Sequence, residues 1–199
     1  MQDLLSVNQL YRKVEDILGT YTNPPVACRA GCAHCCHLPV DVTAVELMTL
    51  LQHLVATRTP AELDRIRQIA QAYSSVSADT PEQSRVAVRM PCALLVNDQC
   101  SAYEVRPLAC RGFHSFDVAD CVEAFLPENA RKTFPIADAR RTLVASKASA
   151  MLANACQSAG KDTCAYDLGA ALAVALAMPE VLQRRWAAGE ELLPNVKPV

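Results

Sequence analysis

The sequence predicts a mainly α-helical domain with one small β-hairpin and a cysteine-rich metal-binding loop region. Three observations carry this. The chain is rich in alanine and holds only six glycines in 199 residues, a composition that favours helix. Apolar residues recur at helical spacing toward both ends. Eight of the ten cysteines fall into two groups in the first two-thirds of the chain. Hydrophobic residues make up 51%, enough for a real core, while aromatics are only 5%, so Leu, Val and Ala must fill it. The length suits a single domain over 1–199, with the cysteine core at about 24–125 and helical extensions at both ends.

In chain order, Leu4, Leu5, Val7, Leu10, Val14, Ile17 and Leu18 make an amphipathic helix that Gly19 closes. The segment TYTNPP then breaks regular structure ahead of the first cysteine group. Thr43 with Glu46 three residues on reads as a capping box, and that helix runs to about Thr57. Thr59-Pro60 starts another helix through Tyr73, with proline at its first position. Residues 74–84, rich in Ser, Ala, Asp, Thr and Pro, read as an exposed loop. RVAVRMPCALLV and QCSAY flank Asn97-Asp98, the pattern of a small hairpin with a tight turn. A short helical turn carries residues 104–110, with Pro107 limiting its start. From Pro135 the pattern is helical: 136–160, then 164–177, then a helix beginning near Pro179 that carries Trp186. The final PNVKPV reads as frayed. No internal repeat occurs.

Charge and patterning exclude several classes. The net charge of −2 and the lack of a Lys/Arg run give no pull toward nucleic acid or anionic lipid. The N-terminus lacks a basic region followed by an apolar one, so it is no signal peptide. The longest apolar stretch, 169–178, is too short to cross a bilayer. The expectation is a cytoplasmic chain without membrane contact. Thiols stay reduced in that compartment, which favours metal ligation over disulfides.

The first cysteine group is Cys28, Cys32, Cys35 and Cys36, spaced C-x3-C-x2-C-C. Short spacers let a loop fold around an ion with sulfur at about 2.3 Å from zinc. Gly31 can supply a left-handed turn inside that loop. Adjacent Cys35 and Cys36 are expected to diverge, serving two metals or two corners of a larger cluster. The second group, Cys92, Cys100, Cys110 and Cys121, has wide spacers and must be gathered by the fold. Eight thiolates would fill two four-coordinate sites, one cluster plus one zinc, or a binuclear centre with bridging sulfur. The hairpin and the RPLACR segment favour one composite site, with the first group as a preformed loop and the second closing over it.

Four thiolates around a divalent ion leave excess negative charge. Arg29, Arg106 and Arg111 stand beside cysteines and can offset it; Arg106 and Arg111 are the candidate cofactor-binding cations. His34 and His37 flank the first group and fit outer hydrogen bonding better than ligation. His114 is a poor triad member, His53 reads as a surface residue, and Cys156 and Cys164 read as core residues. Cys28-x3-Cys32-x2-Cys35 is also the spacing of radical S-adenosylmethionine enzymes, but the chain lacks their strand–helix alternation. No GxGxxG, HExxH or GxSxG motif is present.

C-x3-C-x2-C-C, followed by PC-x-LL-x4-CSAY-x2-RP-x2-CR, resembles the YkgJ-type cysteine-cluster family, described as zinc- or iron-chelating. The likeness runs from about Cys28 to Cys121. It implies Cys28, Cys32, Cys35, Cys36, Cys92, Cys100 and Cys110 as ligands, with Cys121 brought in by HSFDVADC. The motif is also similar to that of flagellin lysine N-methylase, thought to combine an iron–sulfur cluster with S-adenosylmethionine. The expectation is therefore a protein holding a 4Fe-4S cluster or zinc, as an oxidoreductase or accessory metalloprotein. Its partners are then the metal or cluster and, in a structural zinc module, another protein. S-adenosylmethionine-dependent lysine methylation is the third reading.

Overall fold

The computed structural model describes residues 2–29, 31–124 and 136–199. The first helix, α1 (Gln2–Gly19), buries Val7, Tyr11, Val14 and Leu18, one stripe at three- and four-residue intervals. A short strand, β1 (Asp41–Thr43), leads into α2 (Ala44–Thr57). The capping box is present: the Thr43 backbone N–H donates to the Glu46 carboxylate at 3.1 Å, and Thr43 takes the reciprocal bond. Helix α2 is apolar on most sides and forms the central post, burying Leu47, Met48, Leu50, Leu51 and Leu54.

Helix α3 (Pro60–Ala78) is started by Thr59, which caps it with Glu62, and by Pro60 in its first turn. It lies along α7 (Leu168–Ala175), where Gly169 lets the Tyr73 ring approach; a Cβ there would stand 2.2 Å from Tyr73 Cδ1. Strands β2 (Leu95–Val96) and β3 (Gln99–Cys100) form the expected hairpin, shorter than the flanking sequence suggests. Its turn residues Asn97 and Asp98 both have positive φ, 49° and 59°, as a type I′ turn requires. Two short helices follow, α4 (Leu108–Gly112) and α5 (Val118–Ala124). Then come α6 (Ala139–Ser158), β4 (Ala165–Asp167) ahead of α7, and α8 (Pro179–Ala188). One continuous apolar cluster joins α1, α2, α3, α6, α7 and α8.

Three local expectations change. The helix expected to end at Tyr73 continues to Ala78, and a 3-10 turn follows at Glu82–Ala87, in place of a 74–84 loop. Along the serine-rich end the Ser75 hydroxyl donates to Gln71 O and the Ser77 hydroxyl to Ser74 O, so these side chains are satisfied within the helix. The helix expected from 164 begins only at Leu168, because residues 165–167 pair antiparallel with 41–43. The C-terminal segment is held, not frayed: Pro198 bridges to Tyr166 and the Val199 N–H donates to Ala165 O at 3.0 Å. Buried Leu192 and Leu193 anchor it, and Asp162 accepts the Leu192 N–H. No helix among the described residues is long and apolar enough to cross a membrane.

Candidate metal centre

The first cysteine loop is shaped by its own backbone. Gly31 is left-handed at φ +81°, as its position inside the loop anticipates. The Cys32 N–H donates to Arg29 O, and a 3-10 turn at His34–His37 carries Cys35 and Cys36. The Cys36 N–H donates to Ala33 O and the Leu38 N–H to Cys35 O, which closes the turn. One end of the loop is fastened by Ser115, only 1% exposed. Its N–H donates to Cys28 Sγ at 3.3 Å and its carbonyl accepts the Ala27 N–H at 2.9 Å. The Ser115 hydroxyl donates to Asp117 O just ahead of α5, the helix that carries Cys121 and packs on the 3-10 turn.

The second group joins the first at the other end. The Cys92 N–H donates to Cys36 O at 2.7 Å, and the Leu95 N–H donates to Cys92 O. The hairpin register pairs Leu95 with Cys100. Cys110 rides on α4, whose first N–H, at Leu108, donates to the buried Glu46 Oε1 at 2.8 Å. Glu46 also accepts the Tyr11 hydroxyl, so one carboxylate ties α4 to α1 and α2.

Burial and mutual proximity dominate the thiols' electrostatics. Burial pushes Cys92 up to about 12, with Cys100 and Cys35 adding to it. Cys110 stands well above the usual thiol range, through burial first and then Cys92, Cys35 and Cys100. Burial raises Cys100, against the lowering fields of Arg106 and Arg111. Burial also raises Cys28 and Cys121; Cys32 and Cys35 act on both, and Arg141 opposes the rise at Cys28. Such thiols stay protonated until a cation compensates the buried negative charge.

The two candidate arginines are buried, at 8% for Arg106 and 4% for Arg111. Both donate to Glu15 Oε1, at 2.9 and 2.6 Å. Arg111 also donates to Arg106 O and lies over the Tyr11 ring, while Arg106 lies over Tyr103. They reach the sulfurs through their field, Arg106 acting on Cys35, Cys100 and Cys110. Arg29 is exposed. His37 Nδ1 lies 3.2 Å from Ala33 O, and burial lowers the basicity of His114. Cys156 is in the core, and the Cys164 N–H donates to Asp162. Helix α4 also contributes Ala109 and Gly112 to a groove of about 420 Å³ that includes Thr43, Glu46, Ala145 and Ser149.

Glu15, Ser115 and Arg141 are the site-shaping residues that sequence reasoning missed. Only Glu15 left a signal: it follows Tyr11 by four residues and borders the apolar stripe of α1.

Among the described residues, no three His, Cys, Asp or Glu side chains are gathered as a metal-ion site. The donor set nevertheless fits zinc or iron by its chemistry: soft, half-buried sulfurs, with buried cations facing them. The structure thus presents a helical scaffold carrying free, mostly half-buried thiols from both cysteine groups. Residues 27–165 match the family model CxxCxxCC, described as "Putative zinc- or iron-chelating domain", and the chain belongs to that family. The match contains all ten cysteines and gives the region its function, chelation of zinc or iron. No curated protein and no solved structure matches the chain.

Proposed function

We propose that Cys28, Cys32, Cys35, Cys36, Cys92, Cys100, Cys110 and Cys121 are the thiolate ligands of one composite centre. Its leading form is iron–sulfur, serving an oxidoreductase or accessory metalloprotein. The supporting observation is that the backbone ties the two cysteine groups together: the Cys92 N–H donates to Cys36 O at 2.7 Å, and the N–H of Ser115, six residues before Cys121, donates to Cys28 Sγ at 3.3 Å. The iron–sulfur preference rests on spacing, because zinc sites more often carry two C-x2-C knuckles and the first group has one. Bound there, a cluster supplies electron transfer or a Lewis-acidic iron. The chain's own part is to ligate it, exclude water and set the local charge. Arg106 and Arg111 do the last, held by Glu15.

Anaerobic purification with iron, sulfide and zinc analysis tests this. Brown protein with stoichiometric iron and acid-labile sulfide supports it. Colourless protein with zinc alone moves the centre to a closed site that stabilises the fold and presents a protein-binding surface. Protein that takes up neither metal refutes it.

A further inference from the structure

Resting on the reading of Cys28 as a ligand, we infer that Arg141, locked by Asp138 at the start of α6, is a positioning residue for Cys28. It fixes the arm of chain that delivers this thiol to the centre.

The arm is residues 21–28, between the end of α1 and the cysteine loop. Tyr21, at its root, packs against the core cluster, but residues 22–25 are exposed and 26–28 are half-buried. Cys110 differs, because its helix buries Leu108, Arg111 and Gly112. The place of Cys28 therefore depends on polar bonds, and among the described residues these lead to one element. Arg141 Nη2 donates to Tyr21 O at 2.7 Å, and Arg140 Nη1 donates to Asn23 O at 3.1 Å. At the far end of the arm, the Ala27 N–H donates to Ser115 O and the Ser115 N–H donates to Cys28 Sγ. Ser115 is bridged to Ala137, and the Asp138 N–H donates to His114 O at 2.7 Å. Both ends of the arm are thus fastened to residues 137–141.

Asp138 makes the fastening rigid. Its carboxylate is 2% exposed and caps the helix by accepting the Arg140 N–H. It also accepts Arg140 Nε and Nη2, each at 3.1 Å, and pairs with Arg141 Nε at 3.4 Å. Arg141 is itself buried, so its guanidinium has little room to find other partners. A planar guanidinium can meet a carboxylate on one edge and a carbonyl on another, which a point charge cannot. Helix α6 carries the fastening into the core through Ala145, Ala148 and Leu152.

Two readouts test this. In the metal-free full chain, amide hydrogen exchange is followed at Ala27, with the bonded N–H groups of Cys92 and Leu95 as controls. Arg141→Gln is expected to speed exchange at Ala27 about tenfold, the effect on local opening of losing one charge-assisted bond, and to leave the controls unchanged. A role through charge alone would not move Ala27. Zn2+ affinity is then measured by chelator competition in the wild type, Arg141→Gln, Cys28→Ser and the double variant. Arg141→Gln is expected to weaken Zn2+ binding about tenfold, with no further loss when it is added to Cys28→Ser. Unchanged exchange at Ala27, exchange that speeds equally at the controls, or equal weakening of Zn2+ binding in both backgrounds overturns the positioning role. If Arg141→Gln fails to fold, Arg140→Gln, on an exposed side chain, replaces it with the same expectations. A wild type that binds neither zinc nor iron refutes the metal centre itself, while exchange at Ala27 still decides whether Arg141 fixes the arm.

Discussion

Replacing Gly112 by alanine probes how the scaffold holds Cys110. The added Cβ would lie 2.4 Å from Ala145 Cβ, 3.1 Å from Arg141 O and 3.4 Å from Thr142 Cα. Carbon atoms pack at about 3.5–4.0 Å, so α4 must retreat from α6 by roughly 1 Å. Two of the three contacts are backbone, so rotating a side chain does not relieve them. Overpacking of this kind costs about 1–3 kcal/mol. For a chain of this size, each kcal/mol lowers Tm by about 2–4 °C, so a drop of about 2–12 °C is expected. Cys110 lies two residues earlier on the same short helix and moves with it, so metal content falls as well. The assay is thermal unfolding plus metal analysis of Gly112→Ala, Ala145→Gly and the double variant. Ala145→Gly alone costs about 1 kcal/mol of helix propensity. The double variant should be more stable than the sum of the singles by about 1 kcal/mol. An unchanged Tm in Gly112→Ala, or strict additivity, refutes the close approach of α4 and α6.

Other substitutions separate site from scaffold. Cys32→Ser is expected to lose metal and stability while Cys156→Ser keeps its metal; equal metal content in the two overturns the ligand assignment. Asp162 accepts bonds from Tyr166, Cys164 and Leu192, so Asp162→Ala should lose about 3 kcal/mol in denaturant unfolding yet keep full metal content. Metal loss in that folded variant would contradict the separation of this anchor from the thiols. Asp138 caps α6, and its hydrogen bond and ion pair with Arg140 hold its carboxyl below the usual range. A depressed folded-state value means that its contribution is present above the unfolded carboxyl's range, near pH 4. The contribution is lost as pH falls through the folded value. In metal-free protein, Asp138→Ala should cost about 1 kcal/mol at pH 7 and less at pH 2; a gap that widens in acid refutes the role.

What sequence reveals here is what depends on neighbours in sequence. The Thr43–Glu46 box and the Asn97-Asp98 turn are local devices and form as read; of the expected α1 stripe, Val7, Val14 and Leu18 are buried, whereas Ile17 is exposed and Tyr11 takes a buried place. The β1–β4 pair was invisible because three residues are too few to show alternation, and its strands lie more than 120 residues apart. The end of α3 misled because serine-rich composition suggests loop, whereas the hydroxyls here bond helix carbonyls. The eight grouped cysteines stand out by composition alone. Their order in space does not: Glu15 meets Arg111 across 96 positions, and Ser115 meets Cys28 across 87. Arg106 and Arg111 were legible as cations beside cysteines, but not as a pair buried on one carboxylate from α1.

X-ray absorption at the edge of the bound metal tests the central claim most directly, because it reads the atoms touching the ion. The account predicts a first shell of sulfur alone, at about 2.3 Å for zinc, in the wild type and in Cys156→Ser. A first shell of oxygen or nitrogen, unchanged when Cys35, Cys92 or Cys110 is replaced by serine, would contradict it.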